Sequence, residues 1–170
     1  MSVLKEKFDN LLIEQEKLRK QFQDTAQELF KETTKAFFDG NPGVKAVIWS
    51  QYTPYWNDGD ECTFSVNDPV FTNATGDQLD DITYEEYEGE DEGIWVSESW
   101  GFTSTSDWAK EKKNEITEKS DDIIDFGSCV SFAKMIQSDA MEDVMLAMFG
   151  NHVRIIVTRD GFDIQDYDHD

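Results

Sequence analysis

The fold of this chain is decided by residues 44–72, which read VKAVIWSQYTPYWNDGDECTFSVNDPVFT. Along residues 44–53 the apolar side chains fall on both faces of an extended chain, which predicts a strand in the interior of a sheet. Residues 62–66 alternate apolar and polar side chains and predict a returning, half-buried strand. The Asn-Asp-Pro run at 67–69 interrupts that strand, and residues 70–71 resume its pairing. We therefore expect a β-hairpin at the centre of the sheet.

The loop between these strands is dense in aromatic and acidic side chains. Its Asn-Asp-Gly-Asp run at 57–60 predicts a turn, because Gly59 tolerates a positive φ. Tyr and Trp at a loop tip are typical of binding hot spots. The same rings, grouped with Trp49, also suit a small local core that pins the loop to the sheet. We predict that the partner-binding residues are Tyr52, Tyr55, Trp56, Asp58, Asp60 and Glu61.

The charge of the chain is large and unevenly distributed. The 170 residues include 37 acidic and 15 basic side chains, which give a net charge of −22. Residues 1–45 hold eight of each sign, whereas residues 46–109 hold 15 acidic side chains and no Lys, Arg or His. Such a field repels nucleic acid and anionic membranes. We predict a basic protein partner, and neither direct nucleic-acid binding nor membrane binding, although acidity can also serve solubility alone.

Residues 3–38 predict one long helix without an internal Gly or Pro. Gln15 and Thr25 fill the gaps in a seam whose apolar members recur at alternating steps of three and four or at sums of such steps, and these polar positions weaken the interpretation as a pure coiled coil. The apolar members of the seam are Leu4, Phe8, Leu11, Leu18, Phe22 and Leu29. Ala26, Phe30 and Phe37 widen the apolar stripe toward the C-terminal half.

The length of this helix limits how it can be placed. At 1.5 Å per residue it spans roughly 54 Å, whereas a compact chain of this size is about 40 Å across. The helix must therefore break, project from the body, or pair with another subunit. A homo-oligomer formed through residues 3–38 and a helix packed on the chain's own sheet both remain open.

The segment after the hairpin is strongly acidic. Residues 73–93 carry nine carboxylates and too few apolar side chains to fold independently, which predicts a surface loop anchored by Tyr84 and Tyr87. Residues 94–102 return to an alternating pattern and predict a third strand.

The following residues are predicted to be mostly helical. The Thr-Ser-Asp run at 105–107 is a cap for a polar surface helix that begins near Trp108. Residues 121–136 fit a helix or a strand, and we favour a helix that begins after Gly127. Asp139 and Glu142 form a capping-box pattern for a helix that ends at Gly150. Its methionines recur at core spacing and are Met141, Met145 and Met148.

A hairpin ends the predicted architecture. Residues 152–158 are rich in β-branched side chains, an Arg-Asp-Gly turn follows, and residues 162–165 pair back. The tail 166–170 is expected to fray.

Together these elements predict an α+β fold, in which a long N-terminal helix packs on an antiparallel sheet of about four or five strands, with further helices in the C-terminal half. We expect a single domain, residues 1–170. Its parts are the long helix (3–38), a β-rich acidic part (44–102), a helical part (105–149) and a C-terminal hairpin (152–166).

The sequence contains no motif typical of catalysis or of cofactor binding. The chain has only two histidines, His152 and His169, so it offers few candidates for a general base. Cys62 and Cys129 lack an evident His partner. Two cysteines suit a reduced, cytoplasmic location. We predict no catalytic residue, no cofactor and no metal. The alternative is a small metal-dependent hydrolase that uses the oxygen ligands at 57–61, although the EF-hand spacing is missing.

Residues 46–66, AVIWSQYTPYWNDGDECTFSV, resemble a segment of small uncharacterised acidic proteins of tailed bacteriophages. The resemblance implies a phage accessory protein that acts on host factors in the host cytoplasm, and it implies no catalytic residues. We therefore predict a non-enzymatic interaction protein that binds a basic host or phage protein. The alternatives are the hydrolase and a structural subunit assembled through residues 3–38.

Overall fold

The computed structural model describes residues 2–56, 58–80, 82, 107–119 and 122–168. Its elements, in chain order, are α1 (Ser2–Gly40), β1 (Ala46–Tyr52), β2 (Ser65–Val66), β3 (Val70–Thr72), α2 (Asp107–Lys119), α3 (Phe126–Ile136), α4 (Glu142–Phe149), β4 (Val153–Thr158) and β5 (Gly161–Asp166). The predicted α+β architecture is confirmed: a long N-terminal helix, an antiparallel five-stranded sheet and further C-terminal helices. The strand predicted at 94–102 and the anchors Tyr84 and Tyr87 lie outside the described residues.

The sheet is built around β1, as the apolar pattern on both of its faces predicted. β4 pairs with β1 over six positions, from Ala46 opposite Thr158 to Gln51 opposite Val153. β5 pairs with the other side of β4, and β2 and β3 pair with the opposite edge of β1. Because β1 is hydrogen-bonded on both edges, its apolar residues lie in the interior of the sheet.

β2 and β3 form one edge of the sheet, which is interrupted by a β-bulge, so the prediction of a hairpin at the centre of the sheet is wrong for its returning strand. Gln51 faces Val66 in β2, and Ile48 faces Val70 in β3, so three residues at 67–69 oppose two on β1. The Asn67 backbone N–H donates to the Ser50 carbonyl at 2.9 Å, and its amide donates to Ser50 Oγ at 2.8 Å. The predicted interruption at 67–69 is therefore a bulge that preserves the pairing.

The returning strand is shorter than predicted. Of residues 62–66, only Ser65 and Val66 pair with β1. The alternation of burial is nevertheless present, because Cys62 and Phe64 are half-buried while Thr63 is exposed. The loop after β1 therefore includes most of the segment that was predicted to pair.

The helices cover one face of the sheet, and the final third of α1 lies across the strands. Phe37 contacts Phe71 of β3 at 5.8 Å, and Phe30 contacts Phe162 of β5 at 6.0 Å between ring centroids. The two contacted phenylalanines belong to one row across the sheet, since Val47 and Val157 pair between them. The N-terminal part of α1 therefore extends past the β5 edge.

The core on this face contains a connected group of aromatic rings. Phe132 of α3 contacts Phe37 at 4.9 Å, and Phe149 of α4 contacts Phe30 at 5.9 Å. Trp49 of β1 contacts both Phe132 and Phe149. The burial of these rings is the main apolar contribution to the docking of the helices on the sheet.

The opposite face of the sheet is covered by the start of the acidic segment. Ala74, Leu79 and Ile82 are buried against Ile48 and Ile156. The prediction that residues 73–93 begin as a surface loop is therefore wrong for these residues, because their few apolar side chains cover the second face of the sheet. Arg154 of β4 holds this segment in place by donating to the carbonyl oxygens of Leu79 at 2.6 Å and Ile82 at 2.8 Å.

The ambiguous residues 121–136 contain α3, so the preferred helix is confirmed. It begins one residue before Gly127, because Asp125 is its N-cap. The Asp125 carboxylate accepts from the backbone N–H of Gly127 at 3.0 Å and of Ser128 at 3.3 Å. In α2, Ile116 is buried and belongs to the core on the helical face of the sheet.

The capping box predicted at Asp139 and Glu142 is wrong. Residues 139–141 form a 3₁₀ turn in which the Met141 N–H donates to the Ser138 carbonyl at 2.8 Å, so α4 begins at Glu142 with no side-chain cap. The predicted core role of the methionine stripe is confirmed, since Met145 is fully buried and its two companions pack against the core.

The hairpin of β4 and β5 is confirmed. The prediction that the tail 166–170 frays is not confirmed for its first two residues, 166 and 167. The Tyr167 N–H donates to the His152 carbonyl at 2.9 Å, and the Tyr167 ring packs against Tyr52 at 5.7 Å. Chain pairing therefore continues past β5.

Gln51 is a polar residue in the core that no sequence pattern indicated. It is 0% exposed, and its amide donates to the carbonyl oxygens of Met145 at 3.0 Å and Gly150 at 2.7 Å. Its carbonyl oxygen accepts from the Trp49 indole N–H at 3.3 Å. Gln51 therefore links the end of α4 to the central strand, β1, through hydrogen bonds.

We predict that Gln51→Leu lowers the free energy of unfolding by about 2–4 kcal/mol, because it leaves buried carbonyl and indole groups without partners. Urea unfolding followed by circular dichroism, at one fixed protein concentration, measures this. Gln78→Leu is the matched control on an exposed residue, and its effect should stay within about 0.5 kcal/mol. Equal midpoints for Gln51→Leu and the wild type would show that these bonds contribute nothing.

Candidate functional site

Two exposed surfaces stand out, and the first is the loop that follows β1. We call Tyr52, Tyr55, Trp56, Asp58, Asp60 and Glu61 the loop tip. Trp56 is 75% exposed and Tyr55 is 67% exposed, while the three carboxylates lie at the surface and Tyr52 is half-buried. Trp49 does not join this group, contrary to the sequence-based grouping, because its side chain points into the core and is 0% exposed.

The base of the loop tip is attached to the turn before β4. The Tyr55 ring stacks on His152 with centroids 4.8 Å apart and planes 7° apart. The Thr53 N–H donates to Asn151 Oδ1 at 2.8 Å, and the Asn151 amide donates back to Thr53 Oγ1 at 3.1 Å. Tyr52 and Tyr55 therefore pack locally, as the interpretation of a small local core expects, while the Trp56 ring is exposed to solvent.

The backbone of this end of the sheet adopts conformations that most residues avoid. Gly59 has φ of 94°, as the turn prediction required, and Asp58 beside it has φ of 41°. In the facing turn, Gly150 has φ of 92° and His152 has φ of 56°. Each non-glycine residue in this region costs roughly 1–2 kcal/mol. Within the described part of the chain, both such residues lie at the loop tip or at the turn beneath it.

The loop tip lacks an assembled site for a metal ion. Across residues 2–56, 58–80, 82, 107–119 and 122–168, no three His, Cys, Asp or Glu side chains are arranged to hold one. Asn57, which the sequence offered as a fourth oxygen ligand, lies outside those residues. The carboxylates of Asp58, Asp60 and Glu61 are spread over an exposed turn, so what they present is a negatively charged surface.

The two cysteines differ in chemical reactivity. Cys62 is half-buried beside the loop tip, whereas Cys129 lies in α3 with no exposure. Burial, together with the charge of Asp125, raises the pKa of the Cys129 thiol to about 12. Because the thiolate is the nucleophilic form, a buried thiol that stays protonated is a poor nucleophile, and Cys129 packs in the core.

We predict that a thiol reagent such as dithionitrobenzoate modifies one thiol per folded chain at pH 8, and two after unfolding in guanidinium. A pKa above the pH of the assay keeps Cys129 protonated, and burial excludes the reagent. Absorbance at 412 nm counts the thiols released. In Cys62→Ser the folded chain should give no signal, and a rapid reaction of this variant would contradict the assignment of Cys129 to the core.

The second surface is the apolar seam of α1, consisting of Leu4, Phe8, Leu11, Leu18, Phe22 and Leu29, which we call the helix seam. α1 is 39 residues long, or about 58 Å. Every side chain from residue 3 to residue 22 is exposed, so the helix projects from the body, and its buried side chains all lie in its last third. The length of the helix required it to break, to project from the body or to pair with another subunit. Because α1 is continuous, a break is excluded.

The helix seam points away from the chain's own core. Leu29 is 60% exposed although the next residue, Phe30, is 2% exposed. The residues that face the body are Phe30, Thr34, Phe37 and Phe38, and at 100° per residue they lie about 130° around the helix from the last seam residues. The seam is therefore open along its full length.

An open apolar seam is energetically unfavourable in water. Its six side chains are 57–62% exposed, and covering each of them would contribute roughly 1–2 kcal/mol. In proteins most of the stability of a helix comes from packing of its apolar face, which the exposed part of α1 lacks. The arrangement can therefore bind a second apolar surface that stabilises the helix. No helix among the described residues combines the length and the apolar composition needed to cross a membrane.

No protein-family model, curated protein or solved structure matches the chain. The loop tip and the helix seam are therefore the basis for assigning a function.

Proposed function

We propose that the chain is a non-enzymatic interaction protein whose loop tip binds a basic protein partner. The observation that supports this best is Trp56, which is 75% exposed at the end of a loop whose base is attached to the sheet. Trp is the residue most enriched at the centres of binding sites, where its ring fills a pocket on the partner.

The attachment of the loop lowers the cost of binding. Thr53 is hydrogen-bonded to Asn151, and Tyr55 is stacked on His152. A loop that is already ordered loses less conformational entropy when a partner binds, so more of the contact energy appears as affinity.

The charge of the loop tip determines which partners it attracts. Asp58, Asp60 and Glu61 follow Trp56 in the interval 46–109, which contains no Lys, Arg or His. Such a surface accelerates encounter with a positively charged protein and disfavours acidic ones. The likeness of residues 46–66 to phage proteins extends the proposal to a phage accessory protein that acts in the host cytoplasm.

A second candidate function is that of a structural subunit assembled through residues 3–38. The observation that favours it is the helix seam, whose side chains stay 57–62% exposed over the length of α1. The two functions are compatible, because the loop tip belongs to the body while the seam belongs to the projecting helix. The hydrolase alternative ranks lower, because the described carboxylates of the loop tip stand on an exposed turn.

We predict that Trp56→Ala removes partner binding with little effect on folding. The test is affinity capture from a bacterial lysate on immobilised protein, quantified by mass spectrometry. A captured protein with net positive charge should fall at least about 30-fold, since loss of a central Trp costs about 2 kcal/mol or more. The thermal unfolding midpoint should not change, because the ring is exposed. Identical capture by wild type and Trp56→Ala would reject the loop tip as the site.

A matched pair of triple variants separates the loop tip from general acidity. Asp58→Asn, Asp60→Asn and Glu61→Gln together remove three charges at the tip. Asp139→Asn, Glu142→Gln and Asp143→Asn remove three exposed charges at the start of α4. Capture should be lost with the first triple and kept with the second, whereas equal losses would mean that net charge alone attracts the partner.

A further inference from the structure

The helix seam follows a strict seven-residue repeat. Leu4, Leu11, Leu18 and Thr25 occupy one position of the heptad, and residues 8, 15, 22 and 29 occupy the other. A repeat of 3.5 residues per turn keeps a seam in contact with a partner helix along a left-handed supercoil. An amphipathic helix that packs only on its own domain needs no such regularity.

We propose that α1 pairs with α1 of a second copy of this chain as a parallel, in-register, two-stranded coiled coil through the helix seam. The proposal rests on the second candidate function, that of a structural subunit, and it specifies the partner, the direction and the register.

The distribution of charge favours a second copy as the occupant. Residues 1–45 are neutral, with eight acidic and eight basic side chains, so the whole net charge of −22 lies in residues 46–170. Two copies can therefore approach through their helices without strong repulsion at the contact. A charged surface of either sign would gain little binding energy from a neutral apolar seam. The same seam on a second copy can cover the apolar side chains.

The area available is sufficient for a specific interface. The six apolar seam side chains are 57–62% exposed in each copy, or roughly 100 Å² each for side chains of this size. Two copies would together remove about 1,200 Å² from water, which is the lower bound for specific, stable interfaces. The seam faces away from the body, so the second helix meets no obstruction from the core.

The polar seam residues favour the parallel arrangement. In a parallel pair Gln15 meets Gln15 of the other copy, and Thr25 meets its own counterpart, so each polar group has a polar neighbour. In an antiparallel pair that aligns Leu4 with Leu29, Gln15 lies opposite Leu18 instead, and the amide is buried against an apolar side chain. A single polar residue at such a position is known to specify register at a cost in stability.

The flanking charges favour the same arrangement. In a parallel pair Glu14 of one helix lies beside Arg19 of the other, and the symmetry gives this contact twice. Arg19 now pairs with Glu16 of its own helix at 3.3 Å, with both side chains more than half exposed. Such an exposed contact is weak, so Arg19 can change partner when a second helix arrives.

The parallel arrangement has one electrostatic cost, and this cost makes the association depend on salt concentration. Both bodies lie at the same end of the coil, and each carries the net charge of −22. Salt screens such repulsion beyond about 8 Å at physiological ionic strength. Self-association through the helix seam should therefore strengthen as sodium chloride rises from 20 to 500 mM.

The first test is the mass of the purified full chain by analytical ultracentrifugation between about 1 and 100 μM. We predict a reversible dimer in the wild type and an association at least about 100-fold weaker in Leu11→Asn with Leu18→Asn, because four buried leucines are lost per dimer. Val3→Asn with Ile13→Asn is the matched control, since both residues are 63–68% exposed on other faces of α1. A wild-type monomer at 100 μM would overturn the proposal, as would equal weakening by both double variants.

The second test determines direction by disulfide cross-linking in the Cys62→Ser background, where the remaining Cys129 is buried. Leu4→Cys should cross-link to itself on oxidation, because the two residues face each other in a parallel pair. In the antiparallel pair they would be roughly 38 Å apart, and Leu4→Cys would cross-link only when mixed with Leu29→Cys.

The outcomes distinguish the parallel coiled coil from the structural subunit on which it rests. Cross-links only between Leu4→Cys and Leu29→Cys would overturn the parallel register and leave the structural subunit standing. A monomer would overturn both. The loop tip is independent of either result, since Trp56→Ala should leave the mass of the assembly unchanged.

Discussion

The docking of the last third of α1 on the helical face of the sheet controls the rest of the molecule. Phe30, Phe37 and Phe38 are buried there; the rings of Phe30 and Phe37 contact Phe132, and Phe37 also contacts Phe71 of β3. These rings lie on one side of the helix. Once they are buried, the rotation of α1 about its axis is determined, and the helix seam must point outward.

The end of α1 is locked by hydrogen bonds as well as by apolar contact. The buried Asn41 amide donates to the Phe37 carbonyl and to Ser128 Oγ, each at 2.9 Å, and its oxygen accepts from the Asp125 N–H at 2.7 Å. Arg159 donates to the Phe38 carbonyl at 3.0 Å. These bonds satisfy carbonyl groups that a helix end leaves open, and they join α1 to α3 and to the final hairpin. The direction in which the helix projects is therefore a property of the core.

The molecule separates its two surfaces in charge and in position. The net negative charge belongs to residues 46–170, whereas residues 1–45, which include the helix, carry equal numbers of acidic and basic side chains. The loop tip follows the C-terminal end of β1, at the turn formed by residues 150–152, and the helix crosses the strands and leaves past β5. In the proposed dimer, bodies of like charge are joined through their helices, and the loop tip remains exposed for the proposed basic partner.

Local patterns determined much of this protein from sequence alone. The seven-residue repeat specified α1 and its seam, the apolar faces of residues 44–53 specified the central strand, and Gly59 specified the turn. These features depend on neighbours within a few residues, where steric and hydrogen-bonding preferences act directly. Only the tertiary structure decided that Trp49 belongs to the core, that Gln51 is buried, and that the segment ending at Ile82 covers the second face of the sheet. It also decided that the helix seam faces away from the body. Each of these outcomes depends on contacts between residues far apart in the chain, which no local periodicity records.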